Sequence, residues 1–201
     1  MVRIKVCGLR RPEDILLAST LADELGFVLE PQSPRFLADP ESIDRSPLTA
    51  RVTFAVYGPL PSPLPVALFD RVQFIPDFSQ PLPEGLRGRH RPVVRPTTET
   101  DWGQVRFWLA ESESNEVILD PFHTDAYGGT GKRLDDGLID LCRKELGLPL
   151  VIAGGLNPEN VAEVIRRHQP WGVDVSSGVE ASPGLKDHQK LRAFIEAIRS
   201  R

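Results

Sequence analysis

The sequence predicts a (β/α)8 barrel of the α/β class, with residues 1–201 forming one domain. Eight short apolar or β-branched runs, a helical or shortened connection after most of them, and glycine-rich turns after the last two runs carry this expectation. Spread over eight units, 201 residues leave about 25 per unit, near the lower limit of that architecture. An open doubly wound sheet is the rival, but it needs fewer units.

Val2–Cys7 alternates as a strand and stops at Gly8. Pro12-Glu13-Asp14 then opens a helix continued by Ile15, Leu16, Ala18 and Leu21, because proline suits the first turn and acids suit the positive end of the helix. Leu25–Leu29 is the second strand, and a polar loop from Glu30 to Arg35 follows it. Asp39-Pro40-Glu41-Ser42 has the form of another helix start. Thr53–Tyr57 and Arg71–Ile75 are the third and fourth strands. Prolines between Gly58 and Pro65 and between Pro76 and Arg91 exclude long helices there, so the middle units should be compact with shortened helices.

Pro92–Arg95 is a weak fifth strand, followed by a helix over Thr100–Ala110 with a broad apolar face of Trp102, Val105, Phe107, Trp108 and Leu109. Glu116–Asp120 is the sixth strand, with a helix over Asp135–Leu146. Leu150–Ala153 and Gly172–Ser176 complete the set, with helices over Asn157–Arg167 and Asp187–Arg199.

The composition, 40% hydrophobic and 26% charged, is that of a globular chain. A net charge of -4 and the lack of a basic stripe exclude non-specific nucleic-acid binding. No apolar run reaches the roughly 18 residues of a membrane span, and Met1-Val2-Arg3-Ile4-Lys5 enters a strand rather than a signal pattern, so a cytoplasmic protein is expected. Cys7 and Cys142 suggest neither a disulfide nor zinc, and His90, His123, His168 and His188 have no metal spacing, so no metal is expected. With 19 prolines, one methionine and arginine favoured over lysine, the chain suits a thermophile or a GC-rich genome equally.

The chemistry concentrates at the strand ends. Gly154-Gly155 after the seventh strand and Ser176-Ser177-Gly178 after the eighth offer bare backbone N–H groups and two hydroxyls, the makings of a phosphate site where barrels usually place one. Cys7 ends the first strand and Asp120 the sixth, positions from which the two could face each other across the mouth, one as a base and the other as an acid. Lys5 lies two residues before Cys7 on the same strand face and could lower the thiol pKa. Arg35 is a candidate for a bidentate pair with a substrate carboxylate. Gly128, Gly129, Thr130 and Gly131 lie in a loop that lacks Walker spacing and reads as a mobile active-site loop. Taken singly, each has a plainer alternative: turn glycines, a buried thiol, a capping carboxylate, a solvated arginine.

At these residues the chain resembles the phosphoribosylanthranilate isomerases. The matching pieces are Lys5-Val6-Cys7-Gly8-Leu9, Gly26-Phe27-Val28, Ser33-Pro34-Arg35, Leu119-Asp120 with Gly128 to Lys132, Ala153 to Val161, Val173 to Glu180, Pro183-Gly184 and Lys186-Asp187. The resemblance implies a tryptophan-pathway barrel that carries out an Amadori rearrangement on a small phosphoribosyl substrate without metal or organic cofactor. It implies Asp120 as the acid that opens the furanose ring and Cys7 as the base at C2′. It also implies Arg35 at the anthranilate carboxylate, and Gly154, Gly155, Asp174, Ser176, Ser177 and Gly178 as the phosphate cradle. A homodimer is compatible with it. The chain departs from the family pattern on strand 4, where Gln73-Phe74-Ile75-Pro76 lacks the usual histidine, and on strand 5, where Arg95-Pro96 replaces lysine and a small residue. These departures leave open a non-catalytic phosphosugar-binding barrel or a related ribose-phosphate enzyme such as an epimerase or indole-glycerol-phosphate synthase.

Overall fold

The structure is a computed structural model that describes residues 1–44, 46–50, 52–58, 60, 68–121 and 133–200. Eight strands pair in parallel in chain order: β1 (Arg3–Val6), β2 (Glu24–Val28), β3 (Val52–Val56), β4 (Arg71–Phe74), β5 (His90–Val94), β6 (Val117–Leu119), β7 (Leu150–Ile152) and β8 (Gly172–Val175). β8 then pairs with β1, from Arg3 opposite Gly172 to Val6 opposite Val175, and the sheet closes into the predicted barrel.

Among the described residues, five α-helices pack outside it: α1 (Pro12–Leu21), α2 (Trp102–Glu111), α3 (Asp136–Leu146), α4 (Val161–His168) and α5 (His188–Arg199). Their starts follow local chemistry. Asp101, Asp135 and Asp187 accept from the Gln104, Gly137 and Gln189 amides respectively, supplying partners for helix N–H groups that have none within the helix. α3 stops where Gly147 turns left-handed with φ +61°.

Between β4 and β5 no long helix forms, as the prolines require, while most of the stretch from Gly58 to Pro65 lies outside the described residues. Residues 75–89 between β4 and β5 form bends and turns. The helix expected from Asp39-Pro40 amounts to one turn, Pro40–Ser42. The Asp44 carboxylate accepts from both the amide and the hydroxyl of Ser46, which closes a turn just before Pro47 instead of extending the helix. α4 also starts later than the expected Asn157. The Asn157 side chain accepts from the Glu159 and Asn160 amides, so these residues form a separate turn ahead of the helix. A hairpin of β9 (Glu180–Ser182) and β10 (Leu185–Lys186), turned at Pro183-Gly184, was not anticipated. Its turn signal is legible in that dipeptide, with Gly184 at φ +79°.

The barrel interior has two characters. Val93, Ile118, Val151 and Ala153 on the β5, β6 and β7 side form an apolar cluster with Ile75 and Trp171 against it. The amino-terminal end is instead filled by charge. Arg91, fully buried, donates to both Glu24 oxygens at 2.7 and 3.0 Å and from Nε to Glu116 at 2.9 Å. Its guanidinium also lies 4.3 Å from the Phe54 ring centre and 5.6 Å from that of Trp171. Burial works against the Glu24 carboxylate, but hydrogen bonds from Arg91 outweigh it and hold the group below the ordinary glutamate range.

Arg91→Met should therefore cost about 3–5 kcal/mol of stability, because it leaves two buried carboxylates without their shared cation. Arg3, 3.5 Å from Glu24, and Arg71, paired with Glu116, also reach these carboxylates, so a loss below about 1 kcal/mol in urea denaturation would show that those two suffice.

Candidate active site

The residues that the sequence places last in their strands lie one step beyond the hydrogen-bonded ladder. Cys7, Ile75, Arg95, Asp120, Ala153 and Ser176 each follow the final residue of β1, β4, β5, β6, β7 and β8, and all six line one cavity that opens at the mouth. Their backbones remain anchored where the chemistry sits: the Cys7 amide donates to the Val175 carbonyl at 2.8 Å and the Asp120 amide to that of Val94 at 3.1 Å. A rigid ladder thus holds the predicted base and acid around a common space.

Unpaired polar atoms mark this space as a ligand site. Ser176 Oγ, Asp174 Oδ1, Gln73 Oε1 and Arg95 Nε are buried without a partner, and their residues all line the cavity. Buried polar groups without partners are costly, and a polar ligand would satisfy them.

On the β7 and β8 side, Gly154 and Gly155 turn with φ of +80° and +64°, and both line the cavity with Ser177. The Asn160 side chain donates to the Gly155 carbonyl at 2.8 Å, fixing this turn to the start of α4. Gly178 is not among the lining residues. A Cβ there would overlap the Leu156 carbonyl oxygen, so this glycine lets the loop after β8 lie directly on the loop after β7. Asp174 lines the cavity, but Lys5 Nζ is bound to its Oδ2 at 2.8 Å. A carboxylate accepts hydrogen bonds and repels a phosphate, so Asp174 fits the role of partner to Lys5 rather than the anion-binding role that the resemblance implies.

Lys5 and Cys7 share a space that exists because Gly26 has no side chain: a Cβ there would stand 2.8 Å from Cys7 Sγ and 2.9 Å from Lys5 Nζ. The expected lowering of the thiol pKa by Lys5 does not prevail. Burial pushes the Cys7 thiol above its ordinary value, Lys5 opposes this, and Asp174 adds to the upward shift. Burial also opposes the charge on Lys5, but Asp174 outweighs it and the ammonium is held above its usual range.

Arg35 lines the cavity and is buried, and its bidentate pair exists, but with Glu180. Nε donates to Oε1 at 2.9 Å and Nη2 to Oε2 at 2.7 Å, leaving the Nη1 side for a ligand. Lys186 joins this cluster, donating to Glu180 Oε1 at 2.9 Å and to the Ser176 carbonyl at 3.1 Å. Glu180 and Lys186 belong to the hairpin and were missed as site-building residues. Nothing local in the sequence marks a pair 145 residues apart. Asp120 Oδ2 accepts from Arg95 Nη2 at 3.1 Å, another contact not anticipated. Gly128, Gly129, Thr130 and Gly131 lie outside the described residues. Among the described residues, no group of three or more His, Cys, Asp or Glu side chains could hold a metal, and no helix is long and apolar enough to cross a membrane.

A family model described as N-(5'phosphoribosyl)anthranilate (PRA) isomerase matches residues 93–197. The N-(5'-phosphoribosyl)anthranilate isomerase of Chlorobaculum parvum is 33% identical, covering 99% of this chain and 96% of its own length. That of Pseudomonas fluorescens is 37% identical, with 98% of both covered. Among solved structures, monomers generated from the dimeric phosphoribosylanthranilate isomerase of Thermotoga maritima superpose with a TM-score of 0.80 at 30% identity, covering 100% of both chains. A phosphoribosyl anthranilate isomerase in complex with reduced 1-(o-carboxyphenylamino)-1-deoxyribulose 5-phosphate gives 0.75 at 28% identity, again over 100% of both.

The buried thiol has a measurable signature. In a Cys142→Ala background, alkylation of Cys7 should stay slow near neutrality and accelerate only above the ordinary thiol range of about 8.5, because burial disfavours the thiolate. A rate that levels off below that pH would show that Lys5 controls the thiol instead.

Proposed function

The chain belongs to the N-(5'-phosphoribosyl)anthranilate isomerase family of tryptophan biosynthesis, and we propose that its Cys7 and Asp120 perform the Amadori rearrangement by general acid–base catalysis. The observation that carries this reading is the placement of both residues at strand ends around one cavity beside the Gly154-Gly155 turn.

In this reading the substrate phosphate binds the backbone of Gly154 and Gly155 with the Ser176 and Ser177 groups, which fixes one end of the molecule. The arylamine lies against the apolar side of the cavity, formed by Val28, Val56, Ile75, Val93 and Ile118. The Nη1 side of Arg35, held in place by Glu180, faces its carboxylate. Asp120 protonates the furanose ring oxygen, the C1′–O bond breaks, and the amine nitrogen lone pair forms the iminium. Cys7, as thiolate, removes the C2′ proton, and the resulting enolamine becomes the 1-deoxyribulose phosphate product. A thiol with a raised pKa is sparsely ionised but strongly basic once ionised, which suits proton abstraction from carbon. Neither step requires a cofactor. Ile75 replaces the strand-4 histidine common in the family without removing the acid, the base or the phosphate turn. We further propose a cytoplasmic protein, and a homodimer as in the Thermotoga maritima relative, which is described as dimeric.

Cys7→Ser and Asp120→Asn should each lower kcat by roughly 100-fold or more while leaving the melting temperature within a few degrees. Complementation of a tryptophan auxotroph lacking this step is the matching test in vivo. Near-normal turnover by both variants would sink the acid–base assignment.

A further inference from the structure

We propose that Arg95 is a positioning residue for the acid step, stabilising the negative charge that develops on Asp120 as its proton passes to the substrate. This rests on the acid role of Asp120 proposed above. Val94 and Leu119 are register partners, so Arg95 and Asp120 leave adjacent strands at the same level of the mouth. Both side chains are mostly buried, with 15% and 18% exposure, and both line the cavity. Arg95 Nη2 donates to Asp120 Oδ2 at 3.1 Å, while Arg95 Nε is buried with no partner.

Nε and Nη2 form one edge of the guanidinium, the edge that Arg35 commits fully to Glu180. At Arg95 only half of that edge is used. A half-used fork fits a carboxyl group that changes state. Protonated Asp120 presents one oxygen to Nη2 and keeps its O–H for the substrate. In the acid step the proton leaves Asp120 for the ring oxygen, the C1′–O electrons move onto that oxygen, and the nitrogen lone pair closes the iminium. Asp120 then carries a full charge, and the Arg95 Nε–H, without a partner at rest, lies on the same guanidinium edge as the Nη2 that already binds it. A fixed donor aimed at charge that appears only during the step lowers the barrier without tightening substrate binding.

Among the described residues, the other arginine lining the cavity is Arg35. The next strand beyond Asp120 presents Ala153 and Gly154, and the charged Lys5, Asp174 and Arg35 stand on the β8, β1 and β2 side.

Kinetics of Arg95→Met and Arg95→Lys, alone and with Asp120→Asn, test the proposal. Arg95→Met should lower kcat roughly 10- to 100-fold with KM changed little, as expected for a donor that acts in the transition state. Arg95→Lys keeps the cation and should recover kcat to within about fivefold of the parent, though it lacks the fork. In the Asp120→Asn background, followed by single turnover with enzyme in excess, Arg95→Met should cost less than about threefold, because no charge then develops at position 120. Equal losses in the two backgrounds, or equal losses from methionine and lysine at unchanged melting temperature, would overturn the proposal. If Asp120→Asn is too slow to follow, the methionine–lysine comparison decides alone. Near-normal turnover of Asp120→Asn itself would instead remove the acid role, a failure of the earlier reading and not of this step.

Discussion

The fold depends on a buried cation where a barrel usually has aliphatic layers. Arg91 sits at the amino-terminal end of the barrel between Glu24 of β2 and Glu116 at the start of β6, and it faces Phe54 of β3 and Trp171 ahead of β8. One side chain therefore ties elements from several parts of the ring. The charge is tolerated because two carboxylates and an aromatic face partner it, and removing the cation would leave Glu24 and Glu116 with Arg3 and Arg71 alone. Above it, Lys5 Nζ lies 5.7 Å from the same Phe54 ring and pairs with Asp174. Phe54 thus lies within cation–π reach of both Arg91 and Lys5, and Cys7 follows just after Lys5 at the end of β1.

The two halves of the interior differ in character. The β5 to β7 side is apolar below the mouth and can accept an aromatic group, whereas the β8 to β2 side is polar through Asp174, Lys5 and the Arg35–Glu180 pair. A substrate with an aryl ring, a sugar and a phosphate needs such a division. The glycines keep the halves within reach of a ligand: Gly26 makes room for the thiol and the ammonium together, and Gly178 lays one phosphate loop on the other.

Most of the architecture was legible because its signals are local. Strand alternation, aspartate caps and proline placement act within a few residues, and they located the eight strands and the five helices to within a few positions. The discrepancies are also physical. Asp39-Pro40 has a helix-start pattern, but Asp44 and Pro47 end it after one turn. The Pro183-Gly184 turn was visible, while the hairpin it makes depends on Glu180 and Lys186 meeting Arg35 and Ser176 in space.

For the site, the sequence by itself determined which groups stand at the mouth, since a strand's last inward side chain is set by counting along its alternation. That suffices to place Cys7, Asp120 and the glycine turns, and the resemblance to a known family gave them roles. Only the tertiary structure decided how those groups are tuned. Arg35 is paired with Glu180, Asp174 with Lys5, and Asp120 with Arg95, and Cys7 is shifted upward because burial outweighs the nearby ammonium. Pairing and burial arise from residues up to 169 positions apart in the chain, so they follow from barrel closure and not from any local pattern.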